Sequence, residues 1–157
     1  FNVAQKNIHA YVFGEHGDTS FVPWSKADIC GTSLDEYTVM MRKYGNIPQE
    51  LDRNAVTDYI HKSGGQIIAD KGATFYAVSV SVCRLCSLLL SAYDSITTVS
   101  SMLHGEYGVN DVCLSIPTLI GPNGVRGKVP IQLTGEEIHQ LHASADALQA
   151  VIDKIRL

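Results

Sequence analysis

The sequence predicts an α+β domain in which antiparallel β hairpins are packed with helices. Two β-prone runs, Thr97 to Leu103 and Val112 to Ile120, are followed by the turn sequence Pro122-Asn123-Gly124. A long amphipathic helix closes the chain. No G-x-G-x-x-G turn follows a strand and opens a helix, so nothing marks a dinucleotide-binding Rossmann unit.

The elements follow in order. Ile8 to Phe13 reads as a strand, since Tyr11, Val12 and Phe13 are β-prone. Gly14 to Ser20 is a polar, glycine-punctuated loop at its end. Phe21 to Trp24 could resume an extended segment, which Pro23 keeps off a central strand. Ser33 and Glu36 form a capping box for a short helix to Tyr44, stopped by Gly45. Asn54 to Ala69 has a helical pattern with Val56, Ile60, Ile67 and Ile68 on one side. Its Gly64-Gly65 pair costs about 1 kcal/mol per glycine relative to alanine, and points to close packing or a ligand wall. Thr74 to Ala92 has an ambiguous period, but its length favours a buried core helix. Lys128 to Leu133 is expected as the returning strand of the late hairpin. Thr134 and Glu137 cap the final helix, whose apolar face carries Ile138, Leu141, Ala145, Leu148, Val151, Ile152 and Ile155.

Composition narrows the function classes. A chain of 157 residues suits one domain, expected over 1–157. Its net charge is -4 and its 12 basic residues are scattered, which argues against a nucleic-acid partner. The apolar run Phe75 to Leu90 is broken by Arg84, Ser79, Ser81 and Ser87, so no membrane partner is expected. Cys30, Cys83, Cys86 and Cys113 read as reduced, mostly buried thiols. Cys83 and Cys86 lack a second Cys or His pair, so no metal site is expected. His139 and His142 fall on the polar side of the last helix without a third ligand. His61 and His104 have no evident partner.

Gly14-Glu15-His16-Gly17-Asp18-Thr19-Ser20 is the chemically suggestive stretch. A histidine between two glycines at a strand end is easily reached by a ligand. Histidine is the residue type whose unperturbed imidazole lies near neutrality, so it suits giving or taking a proton. The plain alternative is an exposed loop histidine.

The run Asn7 to Ser20, continued by Pro23-Trp24-Ser25, resembles the signature around the active-site histidine of L-lactate dehydrogenases. Lys71-Gly72-Ala73-Thr74-Phe75-Tyr76 is similar to the family's substrate-side helix start. Asn110-Asp111-Val112, Ile116-Pro117 and Gly121-Pro122-Asn123-Gly124-Val125 are similar to its late hairpin. The resemblance covers essentially the whole chain in order. It implies the C-terminal, substrate-binding domain of the lactate/malate dehydrogenase family, with the N-terminal dinucleotide-binding domain absent.

Position by position, the resemblance implies that His16 is the catalytic proton donor and acceptor. It implies that Thr74 lines the substrate pocket, favouring pyruvate and L-lactate over malate. Val78 would pack near the nicotinamide of NAD, the plain alternative being a core valine. His9 would help bind fructose 1,6-bisphosphate, the plain alternative being an exposed strand histidine. The family further implies a cytoplasmic homotetramer of glycolysis, subject to allosteric control. It places an aspartate partner and a carboxylate-gripping arginine upstream of the histidine, yet no Asp or Arg precedes His16. The chain also begins with Phe1. The expectation is therefore the C-terminal part of a longer NAD-dependent enzyme, inactive alone. The alternatives are a malate-type 2-hydroxyacid dehydrogenase and a non-enzymatic oligomerisation or effector-binding module.

Overall fold

The two β runs in the middle of the chain pair as expected. In the computed structural model, which describes residues 1, 3–45 and 50–155, β4 (Ser95–His104) runs antiparallel to β5 (Asn110–Gly121). The chain turns on Pro122 and Asn123 into β6 (Gly124–Lys128), which pairs back on β5. A smaller antiparallel sheet joins β1 (Ile8–His9), β2 (Asp28–Ile29) and β3 (Thr32–Ser33). The helices are α1 (Leu34–Lys43), α2 (Arg53–Lys71), α3 (Tyr76–Leu89) and α4 (Gly135–Ile155). Both described sheets are antiparallel, as the α+β prediction requires.

Local signals place the helix starts. Ser33 and Glu36 form the expected capping box of α1. Asp52 accepts from the Ala55 N–H to start α2, and Gly72, in the left-handed region, ends it. Thr134 and Glu137 exchange hydrogen bonds at the start of α4: Glu137 Oε2 accepts from the Thr134 N–H at 2.9 Å, and Thr134 Oγ1 accepts from the Glu137 N–H at 3.3 Å.

The main core lies between β5 and α4. Val112, Leu114 and Ile116 alternate inward from β5. They meet Leu141 and Ala145 of α4, with Phe13 and Phe21 from the loop region. Ile138, Leu148 and Ile152 pack against this cluster, whereas Val151 and Ile155 stay exposed. A second cluster joins Ala27, Ile29, Leu34 and Tyr37 beneath the small sheet.

Several expectations are corrected. The strand expected over Ile8 to Phe13 is not continuous, and only its first two residues join a sheet. Ile8 and His9 pair with β2, while Phe13 bridges Phe21 and Gly14 bridges Ser115 of β5. Phe21 resumes extended pairing, with Phe13, but the segment ends before Trp24, where Trp24–Lys26 forms a 3-10 turn. The returning strand lies at Gly124–Lys128 rather than Lys128 to Leu133. The two-residue turn sets pairing at once, and Pro130, lacking an N–H, cannot extend the ladder. Helix α3 is not buried: Val78, Val80 and Val82 are 60%, 69% and 54% exposed, and β4 faces Val78 and Val82 only across an open cavity. Helix α2 likewise buries no residue. The four cysteines are free and exposed, two of them because they ride on α3. No helix among the described residues is long and apolar enough to cross a membrane.

Candidate active site

His16 sits on a loop whose two ends are clamped. Phe13 and Phe21 exchange backbone hydrogen bonds at 2.8 and 3.0 Å, closing its base. Gly14 and Ser115 exchange another pair at 3.1 and 2.8 Å, tying that base to β5. Inside, the Ser20 N–H donates to the Gly17 carbonyl at 3.1 Å. The loop is therefore held while the His16 side chain stays exposed.

The flanking glycines have distinct reasons. Gly14 has φ +94°, a left-handed conformation that side chains rarely adopt, and a Cβ there would lie 2.5 Å from Ser144 Oγ. At Gly17 a Cβ would lie 2.9 Å from Glu15 Oε1. The two groups contacted, Ser144 Oγ and the Glu15 carboxylate, belong to one hydrogen-bonded set. Glu15 Oε1 accepts from the Thr19 hydroxyl at 2.6 Å and from the Thr19 N–H at 3.2 Å. The Glu15 N–H donates to Ser144 Oγ at 2.7 Å, across to α4.

Helix α2 forms the facing wall. A cavity of about 400 Å³ is lined by His16, Glu15, Asp18 and Ser20 from the loop and by Ile60, His61, Ser63 and Gly64 from α2. Val12, Phe13, Gly17 and Ser115 complete it. His61 Nε2 lies 2.8 Å from the Ser20 carbonyl. A carbonyl only accepts, so Nε2 carries the proton and donates. This bond joins α2 to the loop. Gly64 supplies a wall without a side chain. A Cβ at either Gly64 or Gly65 would meet nothing within 4 Å, so close packing within the described residues does not account for the pair.

The cavity's chemistry is specific. It offers two imidazoles and two carboxylates, but no lysine or arginine among the described residues lines it. The described residues form no group of metal ligands. Asp18 lines the same cavity, yet no hydrogen bond to the His16 side chain forms among the described residues. The set can exchange a proton with a small ligand. It does not by itself grip an anion.

Just outside, Glu137 braces the segment that follows the loop. Its carboxylate accepts from the Ser25 hydroxyl at 2.7 Å and the Ser25 N–H at 2.9 Å, besides the cap of α4. Burial pushes its pKa up, but these hydrogen bonds from Ser25 and Thr134 outweigh burial and hold it below the ordinary value. Beside the main core, burial raises the Tyr107 phenol, whose hydroxyl donates to the Ile131 carbonyl at 2.8 Å. His142, also on α4, lies 2.7 Å from the Tyr107 carbonyl.

The other candidate residues lie apart from His16. Thr74 is exposed in the short link between α2 and α3, outside the residues lining the cavity. Val78 lines a separate apolar cavity of about 300 Å³ with Val82, Leu85 and Leu88 of α3 and Thr97, Thr98 and Val99 of β4. His9 lies at the edge of the small sheet, its Nδ1 3.2 Å from Asp28. Sequence reasoning missed His61, Glu15 and Ser144. The glycine pair of α2 was the one signal pointing to that wall.

Comparison with known proteins covers the whole domain. The family model for the lactate/malate dehydrogenase alpha/beta C-terminal domain matches residues 1–156. An L-lactate dehydrogenase of Acetivibrio thermocellus is 39% identical over 150 residues, covering 96% of this chain and 46% of that protein. L-lactate dehydrogenase 2 of Clostridium acetobutylicum is also 39% identical, with 97% and 46% covered. The solved L-lactate dehydrogenase of Clostridium thermocellum superposes with a TM-score of 0.85 at 32% identity, over 99% of this chain and 49% of that one. A malate dehydrogenase of Archaeoglobus fulgidus, solved in complex with NADH, gives 0.79 at 30% identity, over 96% and 45%. The chain spans about half the length of the relatives it matches.

Proposed function

This chain belongs to the lactate/malate dehydrogenase family as its alpha/beta C-terminal domain, and from that premise we propose that it supplies the proton-transferring half of an L-lactate dehydrogenase. The observation that carries this reading is His16, exposed on a clamped loop that faces α2 across a cavity of about 400 Å³. His16 gives a proton to the carbonyl oxygen of pyruvate and takes one from the hydroxyl of L-lactate in reverse. A positioned acid or base contributes about 10²–10⁴ in rate. The loop's backbone clamps fix the main chain from which the imidazole projects, which limits the geometric loss on each turnover.

The described residues do not fit the role of holding NAD. Gly121 and Gly124 close a hairpin and Gly127 lies in β6, with no helix N-terminus to receive a pyrophosphate. We place the dinucleotide-binding domain, with the aspartate partner of His16 and the arginine for the substrate carboxylate, in polypeptide outside these 157 residues. The length of the relatives supports this placement. By itself the domain is then inactive. Thr74 is proposed to bound the substrate and Val78 the nicotinamide side once that half closes over α3. The exposed apolar residues of α3 are proposed to become buried in a cytoplasmic homo-oligomer, a tetramer in this reading. His9 is proposed as an effector residue for fructose 1,6-bisphosphate. Asp28 beside it would oppose a phosphate, so binding there requires their 3.2 Å contact to open.

A second reading, a malate-type dehydrogenase, is favoured by the likeness to the Archaeoglobus fulgidus enzyme. NADH oxidation by the protein with its nucleotide-binding half, measured with pyruvate and then oxaloacetate, separates the two. Higher kcat/KM on pyruvate is expected. A clear preference for oxaloacetate sinks the lactate reading.

A further inference from the structure

We propose that Ser144, on the buried face of α4, is a positioning residue for His16. The inference rests on the acid/base reading of His16. Ser144 is fully buried, and its hydroxyl lies under the loop at the residue preceding His16. It accepts from the Glu15 N–H at 2.7 Å, the shorter of its two contacts. The second contact is Thr19 Oγ1 at 3.2 Å.

Counting protons fixes the direction of this network. Thr19 has one hydroxyl proton and two oxygens near it. Glu15 Oε1, at 2.6 Å, is a carboxylate that can only accept. The Thr19 proton therefore goes to Glu15. The Ser144 hydroxyl proton is then free to go to Thr19 Oγ1. The result is a closed ring that runs from the Glu15 N–H to Ser144, on to Thr19, and back to the Glu15 carboxylate. Both ends are on Glu15, whose carbonyl carbon is bonded to the nitrogen of His16. Thr19 lies on the opposite limb of the loop, so the ring pins both limbs to α4 and frames His16 between them.

Gly14 gives independent support. A Cβ there would lie 2.5 Å from Ser144 Oγ and 3.2 Å from its Cβ, so the loop backbone is seated directly on this serine. A glycine at position 14 is what lets the loop backbone approach this hydroxyl.

The test uses the protein together with its nucleotide-binding half. Ser144→Ala removes both links with little change in volume. A misplaced proton donor should lower kcat about 10- to 100-fold while KM for pyruvate changes little. The His16 Hε1 resonance should broaden or split, a sign of several ring positions that a general loss of stability would not produce. Thr19→Val breaks the same ring from the loop side while leaving the Glu15 N–H on Ser144, so a smaller effect of the same kind is expected, and an unchanged kcat and His16 signal there overturns the proposal if Ser144→Ala does not fold. An unchanged kcat with a single sharp His16 signal in the folded variant overturns the proposal. A parallel His16→Gln variant separates the layers. If it retains turnover, the acid/base reading fails. If it loses turnover while Ser144→Ala and Thr19→Val do not, the positioning inference alone fails.

Discussion

Replacing Glu137 with glutamine tests whether a buried carboxylate holds the His16 region onto α4. The carboxylate receives the Ser25 hydroxyl at 2.7 Å, the Ser25 N–H at 2.9 Å and the Thr134 N–H at 2.9 Å. Hydrogen bonds to a charged group contribute about 1.5–3 kcal/mol each, and a buried donor left unpaired costs about 1–3 kcal/mol. Glutamine keeps one acceptor oxygen but turns an amide N–H₂ toward donors already fixed in place. We expect a loss of about 2–4 kcal/mol, or roughly 5–15 °C in Tm for a domain of this size. The sign of the pH dependence follows from the lowered pKa of Glu137. A carboxyl whose folded pKa lies below its unfolded value stabilises fully above the unfolded value, near 4.5, and loses that contribution as pH falls through the folded one. The gap between wild type and Glu137→Gln should therefore be wide at neutral pH and close in acid below 4.5. Urea unfolding across that range measures it. A gap that is absent at neutral pH, or equally wide in acid, would refute the reasoning.

Two further outcomes follow from the geometry. Gly14→Ala places a side chain on a φ of +94° and against Ser144, so it should cost at least the ~1–3 kcal/mol of such backbone strain, read by urea unfolding. Val80→Glu on α3 should change the stability of the chain alone by about 0.5 kcal/mol or less, since Val80 is 69% exposed. The same change should weaken assembly of the protein with its other half, measured by sedimentation.

Much of this fold is local and could be read from the sequence. The caps at Ser33–Glu36 and Thr134–Glu137 need only residues three apart, and both form. The Pro122-Asn123-Gly124 turn sets β6 against β5 within its own neighbourhood. What was not legible depends on distance. The run Ile8 to Phe13 looks like one strand, yet Ile8 pairs with Ile29 of the small sheet while Phe13 makes an isolated bridge to Phe21. Helix α3 is apolar enough for a core, but periodicity does not say what covers it, and the described residues leave none of its side chains buried.

The site divides the same way. His16 stood out because glycines flank it, and the structure gives those glycines reasons in Ser144 and Glu15. His61 is 41 residues from its acceptor Ser20, and Ser144 is 129 residues from Glu15, so no local pattern announces either. Thr74 and Val78 carry apolar or small side chains whose proposed roles need a partner surface outside the chain.

The most direct test of the account is the turnover of His16→Gln in the protein with its nucleotide-binding half. His16 is exposed and forms no side-chain hydrogen bond among the described residues, so the change should cost about 0.5 kcal/mol of stability or less. The account predicts a folded protein that still binds NADH and has lost about 10²–10⁴-fold in pyruvate reduction. A folded His16→Gln protein that reduces pyruvate at the wild-type rate would contradict it.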